Sequence, residues 1–473
     1  MATQGATSIR LKLPTRSGRL PDPVAFYLLA SIVLFFLAGS AAPTPLYAMY
    51  QAEWHFSPIT TTVVFGVYAL AVLIALLIFG SLSDHIGRRP VLLAAIAVQA
   101  ATMLVFAAAD GVPVLVAARI VQGLATGAAL GAIGAAMLDL DKAKGTIANA
   151  VAPMTGSATG AIGAGLLVQF LPAPTHLVYV VLFGVFVVQA IGVALMAETS
   201  SPTGGAIASL RPEFAVPAAV RRPMAVAVPG LVAVWALAGF YGSLSPAAIR
   251  IIVGSASPVL AALPFAVLAA SAALAVFALR SSGPQFVMTF GLIALIAGGG
   301  ITVIATDHRS VVAFFAGTVL AGIGMGSGFQ GAIRTVVPLA RPHERAGVLS
   351  VAFVVSYLAL GVPAVAAGFL VVHDGGVIAT AREYGLAVIA LAALALAGML
   401  RTRRADAPAP EPVSTLPEPA SVEQVTRRIG EHHDATRNHD ASRSEASAQS
   451  LHIDQVRIGH PAIEPVGGGC PQR

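Results

Sequence analysis

The chain has 473 residues, of which 56% are hydrophobic and 11% are charged. Soluble globular proteins have about 25% charged residues, and a mean hydropathy of +0.82 over this length leaves too little polar surface to cover a water-soluble core. The composition therefore excludes a soluble globular fold and predicts that lipid surrounds most of the chain. The net charge of +6 does not indicate a nucleic-acid partner, because the basic residues lie in short connections and form no basic face.

Twelve apolar segments are long enough to cross a membrane as α-helices, which need about 20 residues for a hydrocarbon core of about 30 Å. The first follows a basic stretch and runs for about 25 residues, which is too long for the apolar region of a signal peptide. The predicted spans cover residues 24–48, 59–82, 91–109, 113–138, 146–171, 177–197, 224–247, 257–279, 286–305, 310–337, 347–371 and 384–400. The sequence therefore predicts an all-α integral membrane protein with twelve transmembrane helices.

The longest polar connection between spans lies at the midpoint of the membrane region and separates six spans from six. We therefore predict a cytoplasmic N-terminal tail, a six-helix bundle, a cytoplasmic linker, a second six-helix bundle and a cytoplasmic C-terminal tail. These segments cover residues 1–23, 24–197, 198–223, 224–400 and 401–473. The C-terminal tail is rich in Pro, Ser, Ala, Glu and His without apolar periodicity, which is typical of disorder. Nothing preorganises its potential metal ligands at 432–440, so we predict no metal site and no cofactor.

Lysine and arginine residues are distributed unevenly between alternate connections. If the N-terminus lies inside, the inside segments up to Arg404 hold seventeen of them, and the outside loops hold three, Arg250, Arg309 and Arg382. Cytoplasmic connections of membrane proteins carry the excess of positive charge. We therefore expect a multi-pass protein of the inner (plasma) membrane with both termini in the cytoplasm, which an even number of spans allows.

A short polar segment between predicted spans 2 and 3 reads Gly80-Ser-Leu-Ser-Asp84-His85-Ile-Gly87-Arg88-Arg89. Glycine permits the close approach and the unusual backbone angles that a tight connection needs. Asp84, at the membrane boundary, can pair with Arg88, with Arg89 or with the positive N-terminal end of a helix. A charge pair in this position can hold one conformation and be released in another.

This segment resembles the signature loop of the major facilitator superfamily, Gly-x-x-x-Asp-Arg-x-Gly-Arg-Arg/Lys, and departs from it at His85. The resemblance implies two related six-helix halves around a central cavity that opens alternately to each side. It also implies that the loop is a conformational latch, a contact that holds the two halves together at the cytoplasmic face. Asp139, at the end of predicted span 4, is the expected partner of Arg88 or Arg89, and solvation at the interface is the alternative.

Arg119 lies inside predicted span 4, in the sequence Arg119-Ile-Val-Gln122-Gly123, which resembles the Arg-x-x-Gln-Gly motif of the same superfamily. An arginine within a membrane helix costs about 2.5–3.5 kcal/mol unless it reaches the surface or finds partners. In the family, the matching arginine is linked to proton handling or to an anionic group. Arg119 and Gln122 are therefore candidates for coupling or substrate binding. Because Arg119 begins about six residues into its span, extension of its side chain to the outer surface is the alternative.

Few other polar residues lie within the predicted spans. Gln99, Gln122 and Gln330 either face the cavity or hydrogen-bond between helices, and the sequence favours neither interpretation. No acidic residue lies near the middle of a span, so a carboxylate proton carrier deep in the cavity is not supported. Four aromatic residues are candidates for the cavity lining, although packing between helices is the favoured interpretation for each: Tyr68, Trp235, Phe240 and Tyr241.

Small residues recur in predicted span 5, in the sequence Gly156-Ser-Ala-Thr-Gly160-Ala161-Ile-Gly163-Ala-Gly165. Small residues four apart let two helix backbones approach closely. The segment also resembles the antiporter motif Gly-x-x-x-Gly-Pro-x-x-Gly-Gly, in which Gly156, Gly160 and Gly165 match. Ala161 replaces the proline, which removes the expected kink. Helix packing is therefore the favoured interpretation, and an antiporter role is the alternative.

The resemblance extends over residues 24–400 and implies a secondary active transporter, similar to the drug and metabolite efflux branch of the family, and not an enzyme. The sequence contains no Gly-x-x-x-x-Gly-Lys-Ser/Thr phosphate loop, which excludes ATP hydrolysis by that route. Because no fixed charge is expected in the cavity, we predict export of neutral or lipophilic small molecules. We expect the protein to be a monomer and to use an ion gradient, with protons as the expected ion, or the gradient of the solute itself. Uptake of a small neutral metabolite and a non-transporting membrane sensor are the alternatives.

Overall fold

The structure is a computed structural model, and it describes residues 20–201, 203–212, 214, 216–373 and 375–405. Every regular element in these ranges is a helix, and no β-strand occurs among them. The predicted tail before residue 20 lies outside the described residues, as does the predicted tail from residue 406 onward with its segment 432–440.

Twelve helices are long and apolar enough to span a membrane, as the sequence predicts. In chain order, spans 1 to 12 are Asp22–Trp54, Pro58–Phe79, Arg88–Ala107, Val112–Leu140, Lys142–Phe170, Pro174–Leu195, Ala218–Ser243, Pro258–Ala278, Pro284–Asp307, Val311–Leu339, Pro342–His373 and Gly376–Thr402. The predicted all-α membrane fold is thereby confirmed.

Span 1 is interrupted near its end, although the sequence predicts one continuous helix over 24–48. Its main helix ends at Ala41, and after a 3-10 turn a short helix continues over Tyr47–Trp54. Pro43 and Pro45 explain the interruption, because proline lacks a backbone N–H and its ring clashes with the carbonyl four residues earlier.

A second short helix, Ser245–Val253, follows span 7 and has Pro246 in its first turn. The first span of each half is thus followed by a short helix. This parallel is expected of two related six-helix halves.

Most spans begin earlier than predicted, and spans 7 and 12 differ the most. Span 7 begins at Ala218, inside the predicted linker 198–223, and span 12 begins at Gly376 instead of residue 384. Apolar composition marks the part of a helix that lies in hydrocarbon, whereas the polar turns at its ends carry no such signal. The sequence therefore places these two boundaries up to eight residues too late.

The buried apolar residues form two main clusters. The buried members of the first lie between Ala25 and Met196, and those of the second lie between Val220 and Met399. Each group of six spans therefore has its own core, as expected of two six-helix bundles.

The two ends of the bundles differ in what they contain. The segment 80–89 and the linker that follows span 6 hydrogen-bond to each other at one end, here named the loop face. The two short helices and the starts of spans 2 and 8 lie together at the other end, here named the far face.

Candidate functional site

The connection between spans 2 and 3 contains a short helix, Leu82–Ile86, and turns into span 3 at Gly87. Gly87 has a φ of 101°, a backbone angle that residues with a side chain rarely adopt. A Cβ atom there would also lie 2.7 Å from the carboxylate of Glu198. Gly80 lies where span 4 approaches closely, because a Cβ at Gly131 would lie 2.9 Å from the Gly80 carbonyl oxygen. There is therefore little room for a side chain at either of these two motif glycines.

Arg88 is the centre of an ionic cluster at the loop face. Its side chain forms an ion pair with Asp84, and its Nη1 donates a hydrogen bond of 2.7 Å to Ser83 Oγ. Its Nε lies 3.4 Å from Oδ2 of Asp139 at the end of span 4. The Arg88 side chain is only 10% exposed, whereas Asp84 is 52% and Asp139 34% exposed, so water screens the acidic side of both ion pairs. The structure therefore brings Asp84, Arg88 and Asp139 together.

Glu198, which follows span 6, contacts the same loop and was missed in the sequence. Its carboxylate accepts hydrogen bonds from the backbone N–H groups of Arg88 at 2.8 Å and Arg89 at 3.0 Å. These N–H groups belong to the first turn of span 3, where a helix has unsatisfied donors and favours negative charge. The Arg89 side chain donates to the carbonyl of Ala194, one turn before Glu198. The sequence does show that Glu198 directly follows an apolar span. This position alone does not indicate which helix its carboxylate contacts.

The linker also packs against the loop. Thr203 Oγ1 donates a hydrogen bond of 3.2 Å to the carbonyl of Asp84, and Ser81 Oγ donates one of 3.1 Å to the carbonyl of Ser209. His85, the departure from the family motif, has its Nδ1 3.1 Å from the carbonyl oxygen of Ser81. Between described residues, no hydrogen bond or ion pair joins the segment 80–89 to spans 7–12.

Arg119 is buried, with 1% of its surface exposed, so its side chain does not extend to the membrane surface. Its Nη1 donates hydrogen bonds to the carbonyl of Ser40 at 2.9 Å and to Oε1 of Gln122 at 2.8 Å. Its Nη2 donates to the hydroxyl of Tyr47. Gln122 Nε2 donates in turn to the carbonyl of Gly39 at 3.1 Å. Arg119 and Gln122 therefore act as one hydrogen-bonded unit.

The acceptors around Arg119 come from the interruption in span 1. A helix that ends leaves its last four carbonyls without intrahelical partners, and the helix ending at Ala41 presents those of Gly39 and Ser40 to span 4. Positive charge is favourable at the C-terminal end of a helix. The prolines of span 1 thus create the acceptors that an arginine in span 4 satisfies.

Neutral groups surround the Arg119 guanidinium. No carboxylate among the described residues lies within 4 Å of it. Its central carbon lies 5.3 Å from the ring centre of Tyr68, 5.6 Å from that of Tyr47 and 5.8 Å from that of Phe106. Each such contact contributes about 0.5–2 kcal/mol. The charge is therefore stabilised within the first half and is not presented to the space between the halves.

The other predicted glutamines lie between helices. Gln99 is fully buried, and neither atom of its amide has a hydrogen-bond partner among the described residues. Gln330 Nε2 donates to the carbonyl of Val276 in span 8 at 3.2 Å. In this conformation Gln122 and Gln330 hydrogen-bond between helices, which is one of the two interpretations that the sequence leaves open.

The glycines of span 5 face two different helices. A Cβ at Gly156 or Gly160 would overlap the backbone of span 1, so both positions permit close contact within the first half. Gly165 faces span 8 in the second half, where a Cβ would lie 3.0 Å from that of Ala262. Span 5 also contains Pro153, so a proline interrupts its hydrogen-bond ladder although Ala161 replaces the one in the motif.

A family model described as Major Facilitator Superfamily matches residues 28–299, which is more than half of the chain. The chain belongs to the major facilitator superfamily. It is therefore a multi-pass membrane protein of a transporter family. No curated protein is similar enough in sequence to be identified as a relative.

Two solved structures of transporters share the superfamily fold with this chain. A crystal structure of a mutant of the nucleoside transporter NupG has a TM-score of 0.62 and 13% identity, over 80% of this chain and 99% of that one. A bacterial homologue of the human lysosomal transporter Spinster, in an inward-facing and unoccupied conformation, has a TM-score of 0.62 and 13% identity, over 81% and 97%. At this identity the similarity establishes the fold alone.

The two halves of this superfamily member contact each other at the far face. Oε1 of Gln169 in span 5 accepts hydrogen bonds from Ser257 Oγ at 2.6 Å and from the backbone N–H of Val259 at 3.3 Å. Spans 2 and 11 are so close that a Cβ at Gly368 would overlap the side chain of Thr62. These contacts join the start of span 2 to the end of span 11, and the start of span 8 to the end of span 5.

Aromatic side chains of the second half form a cluster near the middle of their helices. The ring centre of Trp235 in span 7 lies 5.4 Å from that of Phe329 in span 10 and 5.1 Å from that of Tyr357 in span 11. Phe353 lies beside Tyr357, and all four side chains are partly exposed. One turn after Tyr357, span 11 packs against span 2 of the first half, where a Cβ at Gly361 would lie 3.4 Å from the carbonyl oxygen of Gly66. This cluster, here named the aromatic wall, therefore lies on the surface that faces the other half.

Proposed function

We propose that the chain is a secondary active transporter that works by alternating access and exports neutral or lipophilic small molecules. The aromatic wall is the observation that carries this proposal. Partly exposed rings bind apolar or aromatic solutes through large contact areas. The indole N–H of Trp235 is buried and has no hydrogen-bond partner among the described residues, so it is an unused donor beside a partly exposed ring.

The distribution of charge supports a neutral solute. Every described aspartate and glutamate lies in a connection or within about two helical turns of the end of a span. Arg119 is engaged by Ser40, Gln122 and Tyr47. A phosphate or dicarboxylate at mid-depth would therefore have no exposed cation to pair with among the described side chains.

We test this proposal by the flux of a neutral lipophilic fluorescent dye in proteoliposomes. Trp235→Ala is expected to lower the flux by about tenfold or more, because it removes the ring that joins spans 7, 10 and 11. Phe286→Ala is the matched control, since Phe286 is 57% exposed and stacks on Phe290 in its own helix. Equal flux in the two variants, or no dye movement by the unmodified protein, would contradict the proposal.

We propose that the loop face and both termini lie in the cytoplasm. Arg88, Arg89, Lys142 and Lys144 belong to that face, and positive charge accumulates on the cytoplasmic side. The far-face contacts then close the extracellular side. With Cys470 replaced by serine, a membrane-impermeant thiol reagent should label Ala256→Cys in intact cells. Ile86→Cys should be labelled only after permeabilisation, and the reverse pattern would refute this orientation.

We propose protons as the coupling ion. Because the described spans contain no acid at mid-depth, we expect the proton to bind a group other than a membrane-embedded carboxylate. Dye export should stop when an uncoupler collapses the proton gradient, and full activity would exclude proton coupling. Reversing the gradient in the same vesicles distinguishes export from uptake, which is the alternative direction.

We propose that the cluster of Asp84, Arg88 and Asp139, together with Gly80, Gly87 and Arg89, is the conformational latch. The contacts of this cluster within the first half hold the segment 80–89 in one conformation while the loop face is open. Asp84→Asn should slow dye flux more than it lowers the unfolding temperature, because Asp84 is half exposed and contributes little to the core. An unchanged dye flux in Asp84→Asn would contradict the latch role.

A further inference from the structure

A small cavity lies at the far face, between the two short helices. Residues of both halves line it, including Thr44, Tyr47 and Gln51 of the first half and Ser243, Arg250 and Val377 of the second. Its volume is about 60 Å³. Pockets for drug-sized molecules measure about 300–1,000 Å³, so this cavity fits a few waters or a small ion and is not the chamber for a lipophilic solute.

Arg250, at the end of the short helix Ser245–Val253, presents a half-buried guanidinium to this cavity. Its Nε is buried without a hydrogen-bond partner, and no described residue forms an ion pair or a side-chain hydrogen bond with it. Burial lowers the pKa of Arg250, because the charged group has lost water without gaining an opposite charge. A guanidinium in this situation has unused capacity to bind an anion.

The surroundings of the cavity are positive. Glu53 lies on the other short helix, is exposed and makes no ion pair with Arg250. Tyr47 lines the cavity and accepts a hydrogen bond from Arg119, so a second buried cation lies directly behind it. Arg250 is therefore the charge that an anion in this space would pair with, and no described carboxylate forms an ion pair with it.

We propose that this cavity binds a small carboxylate of about the size of acetate, and that the bound anion holds the two halves together at the far face. A planar carboxylate matches the donor fork of a guanidinium. Gln51 and Thr44 supply donors from the opposite half. Because the lining comes from both halves, the site is complete only while they are in contact, so binding favours the closed far face.

The site is independent of the proposed solute, which binds at mid-depth. It is therefore regulatory and would make the closed state depend on the anions outside the cell. A lipid phosphate is the other source of an anion with this chemistry, but the cavity is too small for a whole headgroup. Nanodiscs made of phosphatidylcholine alone, without anionic lipid, separate the two sources.

The test uses spin labels at Ala52→Cys and Ala256→Cys in the full chain with Cys470→Ser, both positions being exposed at the far face. Distance distributions are recorded while sodium acetate replaces sodium gluconate at constant ionic strength. Acetate should increase the population with the short distance, and gluconate, which exceeds the cavity, should not. No response to acetate, or an equal response to gluconate, would overturn the proposal.

Arg250→Gln should require about tenfold or more acetate for the same response, since it keeps two donors but loses the charge and the fork. Arg250→Lys, which keeps the charge, should require an acetate concentration between those of the unmodified protein and Arg250→Gln. Arg309→Gln is the matched control, because Arg309 is exposed at the far face and does not line the cavity. If Arg250→Gln and Arg309→Gln responded equally to acetate, the role of Arg250 would be refuted. An unchanged distance between the labels in the absence of acetate would show that the Arg250→Gln variant is folded.

Discussion

The two faces of the molecule hold the chain together in different ways. At the far face the two halves contact each other through neutral groups, the Gln169 amide on Ser257 and the close pair Thr62 and Gly368. At the loop face the ionic cluster around Arg88 stays within the first half and the linker. The charges therefore shape one half, whereas neutral contacts join the halves.

This difference has an energetic consequence. A hydrogen bond contributes about 0.5–1.5 kcal/mol net, so the polar contacts supply only part of this closure, and the close packing of span 2 on span 11 and of span 5 on span 8 supplies the rest. An ionic cluster that stays within one half does not have to break when the far face opens. Under the proposed alternating access, the loop would be preformed for its contacts in the opposite conformation.

The largest expected effect comes from Arg119→Leu, which tests how the far face is built. The substitution leaves the Ser40 carbonyl and the Tyr47 hydroxyl without their donor, at about 1–3 kcal/mol for each group. We expect a clearly lower unfolding temperature and a broader far-face distance distribution. Arg334→Leu is the control, because Arg334 also caps a carbonyl, that of Ser282, but is only partly buried. Equal losses in both variants would contradict the account of span 1.

Gly368→Val should open the far face by steric conflict with Thr62. Overpacking of this kind costs about 1–3 kcal/mol, which corresponds to a population shift of about 5–150-fold. Distances between labels at positions 52 and 256 measure the shift. Gly300→Val serves as the control, since a Cβ at Gly300 would meet no atom within 4 Å. A closed far face in the Gly368 variant would show that spans 2 and 11 do not set the closure.

Glu198→Gln should disturb the loop face alone. It weakens the cap on the first turn of span 3, which is expected to cost about 0.5–2 kcal/mol and to speed amide exchange there. Far-face distances should stay as they are. Glu344→Gln is the matched control, because Glu344 caps the start of span 11, in the other half, through the Arg341 N–H. A change at the far face would mean that the two faces are coupled through the linker.

Gln169→Ala should shift the far face slightly toward the open state. Its two hydrogen bonds are exposed and share one acceptor, Oε1, so we expect their joint loss to cost about as much as one ordinary hydrogen bond and to change the population about 2–10-fold. Thr175→Ala, whose hydroxyl contacts the neighbouring His176 in the same half, should have no such effect. Identical distance distributions in the two variants would remove Gln169 from the closure.

The smallest effect concerns pH and Asp141, between spans 4 and 5. A hydrogen bond from the backbone N–H of Lys144 lowers the pKa of Asp141 below its ordinary value of 3.8. The ionised carboxylate is therefore favoured in the folded state, so its contribution is present above pH 3.8 and is lost as the pH falls through the lowered value. The difference in unfolding temperature between the unmodified protein and Asp141→Asn should be constant from about pH 5 to 8. A difference that changes within that window would assign the pH dependence to another group.

Much of the architecture could be predicted from the sequence because lipid imposes a length and a composition on every span. The contact of Asp84 with Arg88 could also be predicted, since the two residues are close in the chain. Glu198 could not, because its partners are backbone groups more than one hundred residues away. The surroundings of Arg119 depend on carbonyls freed by prolines in another span, and backbone acceptors leave no mark in side-chain patterns. The aromatic wall likewise becomes visible only when spans 7, 10 and 11 are packed.

The central claim is that the two faces close alternately. It is tested most directly by spin-label distances at both faces in one set of nanodisc samples, with labels at Ala52 and Ala256 for the far face and at Ile86 and Ser281 for the loop face. Without dye, we expect a short far-face distance and a long loop-face distance. When the transported dye is added, a second population should appear in which the far-face distance lengthens and the loop-face distance shortens. Distances that change in the same direction at both faces, or at neither, would contradict it.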